Sequence, residues 1–459
     1  MKKTGIILLI ISLLVGKLIA QNPILLYNLS HKSDKDGELS FHFVGDLMGH
    51  SPLFKYALNG QGEYDFYPYF QPVASALEDA DFTVGNLETV LAGKTKDYSG
   101  YPAFNTPNSY ADALKKVGFD FLITTNNHSY DKGETGVLRT LDELHKRKLT
   151  TFGTYRSYIE RDTVRLFQSE KITFAILAYT QFSNIKVNPD KNYLVNVYHE
   201  NLVKRQIAEA RKAGAQLVIV HYHWGNEYKK EPYFFQHEMT KTAIDAGADL
   251  IVADHPHVLQ PLEWKKASAT AAVDSVLIAY SLGNFISNQQ WRYSDAGAIL
   301  RVGFAKKDKK FRISTYEYVP TWVFKGVENG KSTFRILPSQ LSEKNKLPKY
   351  LVEKSPYTAM LNGEHWRKMT EAYTDTRNVL QMYGVKAEVR GWFVPKKFFT
   401  PSLDVENLPI RLFEPQNTQL FLLNKIIIQN GENTKEKKRK KRKRERFDAV
   451  LPRKLVLCA

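Results

Sequence analysis

Two histidines one residue apart, His255 and His257, follow the short apolar run Leu250-Ile251-Val252-Ala253-Asp254, with Pro256 between them. Four more histidines stand where an apolar stretch gives way to polar residues: His50, His128, His221 and His223. Asp46, Asn86, Glu88, Asn126 and Asn127 occupy comparable places. Imidazole, carboxylate and carboxamide are nitrogen and oxygen donors that suit zinc, manganese or iron. Two such ions about 3.5–4 Å apart polarise a phosphoryl oxygen and generate hydroxide between them. The one cysteine, Cys458, permits neither a disulfide within one chain nor a thiolate metal site, so any ion is held through nitrogen and oxygen. Taken singly, a histidine at a strand end is more often structural and an aspartate there is more often a turn residue. Four strand ends bearing the same donor types favour the metal reading.

Donors so scattered along a chain meet only if the strands that carry them end side by side. Leu39–Asp46 alternates as a strand, and Phe82–Glu88, Phe119–Thr125, Lys171–Tyr179, Gln216–His221, Ala248–Ala253 and Ser275–Ser281 read as further strands. Helical spacing marks Tyr69–Ala80, Tyr110–Val117, Thr135–Lys146, Val203–Ala213 and Phe235–Ala246 between them. This alternation predicts an α/β sheet layered by helices, with ligands at the ends of parallel strands. The alternation of an extended chain sends side chains two apart to one side, so His255 and His257 can address one site. Arg301–Tyr318 adds antiparallel strands. Beyond Trp322 the βα rhythm stops, leaving one helix, Met369–Met382, and β-like runs at Val389–Val394 and Gln419–Ile428. Residues 21–38 read as a polar leader.

The 459 residues, 43% hydrophobic and 25% charged, suffice for one large domain with extensions. The net charge of +17 is unevenly placed. From Lys435 to the end there are 12 Lys/Arg against 3 Asp/Glu, so the globular part is only mildly basic. Lys435–Arg446 is too charged to fold and reads as a solvated tail or a contact for anionic lipid or polymer. A nucleic-acid role fits poorly behind the N-terminus, where Met1-Lys2-Lys3 precedes a short apolar run interrupted by Lys17. That segment is shorter than the roughly 20 apolar residues a membrane span needs, and reads as a signal peptide over 1–20, with an uncleaved anchor as alternative. Either way the body is expected to be exported, to the periplasm or the outer face of the bacterial membrane. The expected organisation is a core over 41–320, an extension over 321–430 and a basic tail over 431–459.

Six motifs occur in order: Gly45-Asp46-Leu47-Met48, Gly85-Asn86-Leu87-Glu88, Asn126-Asn127-His128-Ser129-Tyr130-Asp131-Lys132-Gly133, His223-Trp224-Gly225-Asn226-Glu227-Tyr228, His255-Pro256-His257-Val258-Leu259-Gln260-Pro261 and Ser281-Leu282-Gly283-Asn284-Phe285. Together they resemble the CapA family, the capsule and poly-γ-glutamate branch of the calcineurin-like metallophosphoesterases. The resemblance spans about Phe41 to Phe304. It implies a four-layer α/β/β/α sandwich with one or two divalent ions (Mn, Zn or Fe) at one rim. Asp46 and His257 would serve one ion, Asn127, His223 and His255 the other, and Glu88 would bridge. His128 would be the catalytic group, donating a proton to the leaving group or clamping the phosphoryl. Asn126, Glu227 and Asn284 would orient the ligands.

The same resemblance implies an exported phosphoesterase acting in capsule or poly-γ-glutamate synthesis or export. Its partners would be a phosphoester substrate and an anionic surface polymer or its membrane synthase. Two departures weaken the first metal's side. The superfamily's Asp-x-His is Asp46-Leu47-Met48 here, and its Gly-Asp-x-x-Asp is Gly85-Asn86-Leu87-Glu88. The first ion would then be weakly held or absent, unless His50 or His221 compensates. The rival expectation is a non-catalytic envelope assembly factor that binds polymer or synthase through a degenerate metal site.

Overall fold

Strand segments apolar on both faces must be covered on both, and every residue of Leu250–Asp254 and of Leu217–His223 is buried. The computed structural model describes residues 22–29, 38–169, 172–308, 310–343 and 357–390. The signal segment 1–20, the tail 431–459, the run 419–428 and the extension from 391 onward lie outside the described residues.

The strands in chain order are β1 (Ile24–Asn28), β2 (Glu38–Met48), β3 (Phe82–Glu88), β4 (Phe121–Ile123), β5 (Thr150–Phe152) and β6 (Val164–Gln168). They continue as β7 (Thr173–Thr180), β8 (Leu217–His223), β9 (Leu250–Asp254), β10 (Leu259–Lys266) and β11 (Ser275–Leu282). The last are β12 (Asn284–Ile286), β13 (Ala296–Lys307), β14 (Lys310–Glu328), β15 (Lys331–Pro338) and β16 (Glu388–Val389). One sheet has the order β1-β6-β7-β8-β9-β11-β10 and the other β15-β14-β13-β2-β3-β4-β5, with β12 beside β2 and β16 beside β14. Strands β7, β8, β9 and β11 are parallel, as are β2 to β5.

The sheets face each other across a phenylalanine-rich core. Phe41 of β2 meets Phe174 of β7 edge-on at 5.1 Å between ring centroids, and Phe82 of β3 lies 5.5 Å from the same ring. Such pairs add specific geometry to the large area each ring removes from water. The main helices are α1 (Ser51–Ala57), α2 (Ser109–Lys116), α3 (Gly133–Lys146), α4 (Glu200–Lys212), α5 (Phe234–Ala246) and α6 (Gly363–Leu380). Val203 and Ile207 of α4 and Met239 and Ala243 of α5 cover the first sheet. Leu53 of α1, Leu114 of α2 and Leu144 of α3 pack with Val44, Leu87 and Leu122 on the outer face of the second. The architecture is the expected four-layer α/β/β/α sandwich.

Three local expectations need correcting. The single helix over Tyr69–Ala80 is broken into short turns, 67–70, 71–73 and 74–77, because Pro72 supplies no amide hydrogen to the ladder. The polar leader over 21–38 contributes an edge strand, β1, paired in parallel with β6. Its apolar run Ile24-Leu25-Leu26-Tyr27 is too short to choose between strand and helix, and at the sheet edge it is mostly half-buried. Finally, the antiparallel strands expected over Arg301–Tyr318 extend further, with β14 running to Glu328 and β15 continuing the same sheet to Pro338. Helix α6, which opens on a capping box between Asn362 and His365, packs against β14, β13 and β10.

Candidate metal centre

The carboxyl-terminal ends of β2, β3, β4, β8 and β9, drawn from both sheets, meet at one rim. At the end of β2 the register shifts between Val44 and Asp46, and the Asp46 amide donates to Gly283 O at 2.9 Å. A bulge of this kind re-aims the side chain that follows it. Gly45 is required there, since a Cβ would lie 1.8 Å from Gly283 O. Gly283 itself has φ +68°, the left-handed region that favours glycine. This crossing sets Asn284 in register with Asp46.

Two groups of donors lie close enough to hold an ion, Glu88 with His223 and His255, and Asp46 with Glu88 and His257. Glu88 belongs to both. Its carboxylate is fully buried, and among the described residues neither of its oxygens has a hydrogen-bond partner. Burial, and then the neighbouring Asp46 carboxylate, push Glu88 well above the ordinary carboxyl range. Leaving such a group unpaired costs about 1–3 kcal/mol, and more if it is charged. A divalent cation is the partner that would remove this cost, and the all-nitrogen and oxygen donor set fits zinc, manganese or iron. The residues therefore fit the ion that the resemblance implies.

The surrounding bonds fix the donors. Asn86 Nδ2 donates to Asp46 Oδ1 at 2.8 Å and lies 3.1 Å from His223 Nδ1. His257 Nδ1 is 3.0 Å from Asp46 Oδ2. Burial alone would raise the Asp46 carboxyl, but the His257 and Asn86 contacts bring it below its usual value. His223 Nε2 lies 2.8 Å from Asn127 Oδ1 and 3.1 Å from His255 Nδ1. Burial, reinforced by the neighbouring rings, lowers His223 strongly and His255 to about 3, so both are neutral and free to donate a lone pair. Asn284 Oδ1 lies 3.2 Å from His257 Nδ1, while its amide donates to His257 O, Gln289 Oε1 and Ser294 O. Asn126 ties β3 to the next loop by donating to Leu87 O at 2.9 Å and to Asn86 Oδ1 at 3.2 Å.

His128 is buried beside this cluster. Its Nδ1 is 2.7 Å from Asp131 Oδ2, which also accepts the Phe104 amide, and Phe104 lies edge-on to the ring at 4.6 Å. Asn184 approaches the other nitrogen, Nε2, at 3.4 Å. Glu227 is exposed on the rim, where its charge reaches both Glu88 and Tyr228.

The expected route by which His255 and His257 share a site is wrong in mechanism. Strand β9 stops at Asp254, and His255 (φ 106°) and His257 (φ 57°) are both left-handed. A tight turn, not strand alternation, brings their rings to 5.9 Å. Non-glycine residues in such regions cost about 1–3 kcal/mol each and persist where their surroundings enforce them.

Neither compensating histidine joins a donor group. His50 stacks edge-on to Phe104, with Nδ1 about 3.4–3.5 Å from Asn288 N and Ser287 Oγ, and burial lowers it to about 3. His221 is also lowered to about 3 by burial, and its Nε2 lies 2.9 Å from Asp254 Oδ2. Sequence reasoning passed over Asp131, Asp254 and Asn184. The first two sit inside or beside the quoted motifs, as acids flanking His128 and His255; Asn184 offered no signal.

The family described as "Bacterial capsule synthesis protein PGA_cap" matches residues 40–289. The PGA biosynthesis protein CapA of Bacillus subtilis (strain 168) is 31% identical over 282 residues, 60% of this chain and 70% of that protein. The capsule biosynthesis protein CapA of Bacillus anthracis is 27% identical over 289 residues, 59% of this chain and 65% of that one. The solved structure of the calcineurin-like phosphoesterase YfkN from Bacillus subtilis overlaps with a TM-score of 0.36 at 13% identity, over 74% of this chain and 97% of that one, too loosely to bear on the site.

Proposed function

This chain belongs to the bacterial capsule synthesis protein PGA_cap family, and we propose that within it the protein works as an exported, divalent-metal-dependent phosphoesterase in capsule or poly-γ-glutamate synthesis. The observation that carries this reading is Glu88, a wholly buried carboxylate without a hydrogen-bond partner among the described residues, shared by two donor groups. Glu88, His223 and His255 would hold one ion, with Asn127 Oδ1 beside them. Asp46, Glu88 and His257 would hold a second. Ions in these places supply Lewis acidity toward a phosphoryl oxygen and lower the pKa of water.

The chain's own groups do the rest. Asp131 accepts from His128 Nδ1, which fixes the ring and leaves Nε2 as the atom that carries a proton to the leaving oxygen. Asn126 and Asn284 hold Asn86 and His257 in place, so the donors need little rearrangement when an ion enters. Export rests on the N-terminal segment, and an anionic surface polymer or its membrane synthase is the proposed partner. Among the described residues no helix is long and apolar enough to cross a membrane.

A second reading has its own observation. Met48 stands where the superfamily's first motif has a histidine, and its sulfur receives the Ser287 hydroxyl at 3.7 Å. Under that reading the fold is a non-catalytic assembly factor with a thinned site. Metal analysis of the gently purified protein, joined to assays with p-nitrophenyl phosphate and its bis-ester, separates the two. The enzyme reading expects bound metal and manganese- or zinc-dependent turnover. A protein that binds no metal and turns over neither ester with either ion sinks it.

A further inference from the structure

Beside the metal centre, the segment after β12 turns back toward α6 and leaves a cleft of about 370 Å³. That volume falls within the range of small-molecule sites. The step from centre to cleft is one side chain. The Tyr228 ring lies 6.0 Å from His257 on one side and 5.4 Å from Trp291 on the other, and Trp291 lines the cleft. Trp291 is 51% exposed, an unusual state for the largest apolar side chain. Its backbone is nevertheless held, because its carbonyl accepts from Ser294 N, Ser294 Oγ and Asp295 N, and its ring packs on Tyr228. The Ser294 carbonyl is in turn held by Asn284, and Gln289 bonds both Asn284 and the Tyr228 hydroxyl. The cleft wall is thus built on the same residues that orient His257.

The opposite wall is α6, which contributes Arg367, Lys368 and Glu371. Its charges are already matched. Arg292 forks onto Asp375 at 2.8 and 2.9 Å, Arg367 reaches Glu371 at 2.6 Å, and Lys368 lies 3.3 Å from Glu364. A lining with little net charge is poorly suited to a bare phosphate or a run of carboxylates. It offers instead planar donors and acceptors (guanidinium, carboxylate and the Gln290 amide) beside an open indole face. Vicinal hydroxyls need such paired donors and acceptors, and the axial C–H face of a pyranose stacks on the negative face of an indole.

We propose that this cleft is a saccharide subsite, with Trp291 as the stacking platform and α6 as the polar wall, so that the substrate is a sugar phosphoester with its phosphate directed toward the metal centre. The proposal rests on the phosphoesterase reading for the phosphate, while the cleft itself stands on its own residues. It also gives α6, which lies beyond the residues matched to the family, a part in selecting the substrate.

The test uses the full chain loaded with manganese and isothermal titration with three probes: glucose 1-phosphate, N-acetylglucosamine 1-phosphate and glycerol 1-phosphate. At least one sugar phosphate should bind about tenfold or more tighter than glycerol phosphate. Trp291→Ala, at an exposed position that the fold tolerates, should erase that preference and leave the glycerol phosphate affinity unchanged. Equal affinities in the wild type, or an unchanged preference in Trp291→Ala, overturn the subsite. If none of the three probes binds, the metal-centre reading is the one that has failed, and the cleft is then judged with chitotriose. Binding of chitotriose by the wild type and its loss in Trp291→Ala support the subsite, and no binding by the wild type overturns it.

Discussion

Replacing Glu88 by glutamine tests the centre through stability, without reference to any substrate. In the metal-free protein the Glu88 carboxyl group is buried beside Asp46, with His223 Nε2 at 3.7 Å and His257 Nε2 at 3.9 Å, both too far for a hydrogen bond, a state costing about 1–3 kcal/mol or more. A neutral amide of the same length has no charge to bury, and its Nε2–H can donate to the neighbouring Asp46 carboxylate, so metal-free Glu88→Gln should be at least as stable as the metal-free wild type. With metal the order reverses. An ion at 100 times its Kd stabilises the wild type by about 2.7 kcal/mol, which for a domain of this size raises Tm by roughly 4 °C. If the variant binds about 100-fold more weakly, the same concentration gives only about 0.4 kcal/mol, a shift below about 1 °C. Scanning calorimetry on chelator-stripped protein, with and without manganese, reads both effects. A metal-induced shift in Glu88→Gln as large as in the wild type would refute Glu88 as the shared ligand. So would metal-free Glu88→Gln losing more than about 3 kcal/mol, since the carboxylate would then be an ordinary structural group.

Further outcomes follow from the same geometry. His128→Ala should lower turnover by about 10²–10⁴-fold at unchanged metal content, whereas His255→Ala should lose metal; normal turnover in His128→Ala would remove its catalytic role. Asp131→Asn should keep the metal yet lower kcat more than it raises KM, because the bond at His128 Nδ1 sets which nitrogen carries the proton; steady-state kinetics reads the split, and a change in KM alone would contradict it. Burial pushes Asp295 up to about 6 despite the Trp322 indole bond. Its raised value means that its contribution to stability is full below about 4 and is lost as pH rises through 6. Asp295→Asn, which keeps the indole's acceptor, should therefore match the wild type near pH 4 and exceed it by about 2–3 kcal/mol near pH 7, as read by denaturant unfolding at the two pH values. Gly45→Ala should be strongly destabilising and lose metal, since its Cβ would overlap Gly283 O; a stable, metal-replete variant would show that the strand crossing is not what aims Asp46.

What could be read from the sequence depended on how local the determining physics was. Buried parallel strands such as Leu217–His223 and Leu250–Asp254 carry continuous apolar runs, and amphipathic helices such as Gly133–Lys146 repeat their apolar residues at Val137, Leu141 and Leu144. Both patterns are local and need no tertiary information. Strand β1 carries the run Ile24-Leu25-Leu26-Tyr27, but four apolar residues do not by themselves choose between strand and helix, so its place at the sheet edge was not legible. In the site, residue types and strand ends were legible, so Asp46, Glu88, His223, His255 and His257 could be singled out. The left-handed backbone at His255 and His257 was not, since periodicity describes extended chain and not a strained turn. Nor was the destination of His221. It lies two residues before His223 on the same strand, yet its ring turns to Asp254, a contact set by the neighbouring strand. The wall that α6 adds depends on packing between distant segments, which no local pattern records.

The most direct test of the central claim is anomalous diffraction from crystals grown with manganese. The account predicts a peak within about 2.0–2.3 Å of Glu88 and of the His223 and His255 nitrogens, with a second, if present, on the side of Asp46 and His257 and sharing the same carboxylate. Crystals soaked in excess manganese that show no peak at Glu88, or show one only at surface carboxylates, would contradict it.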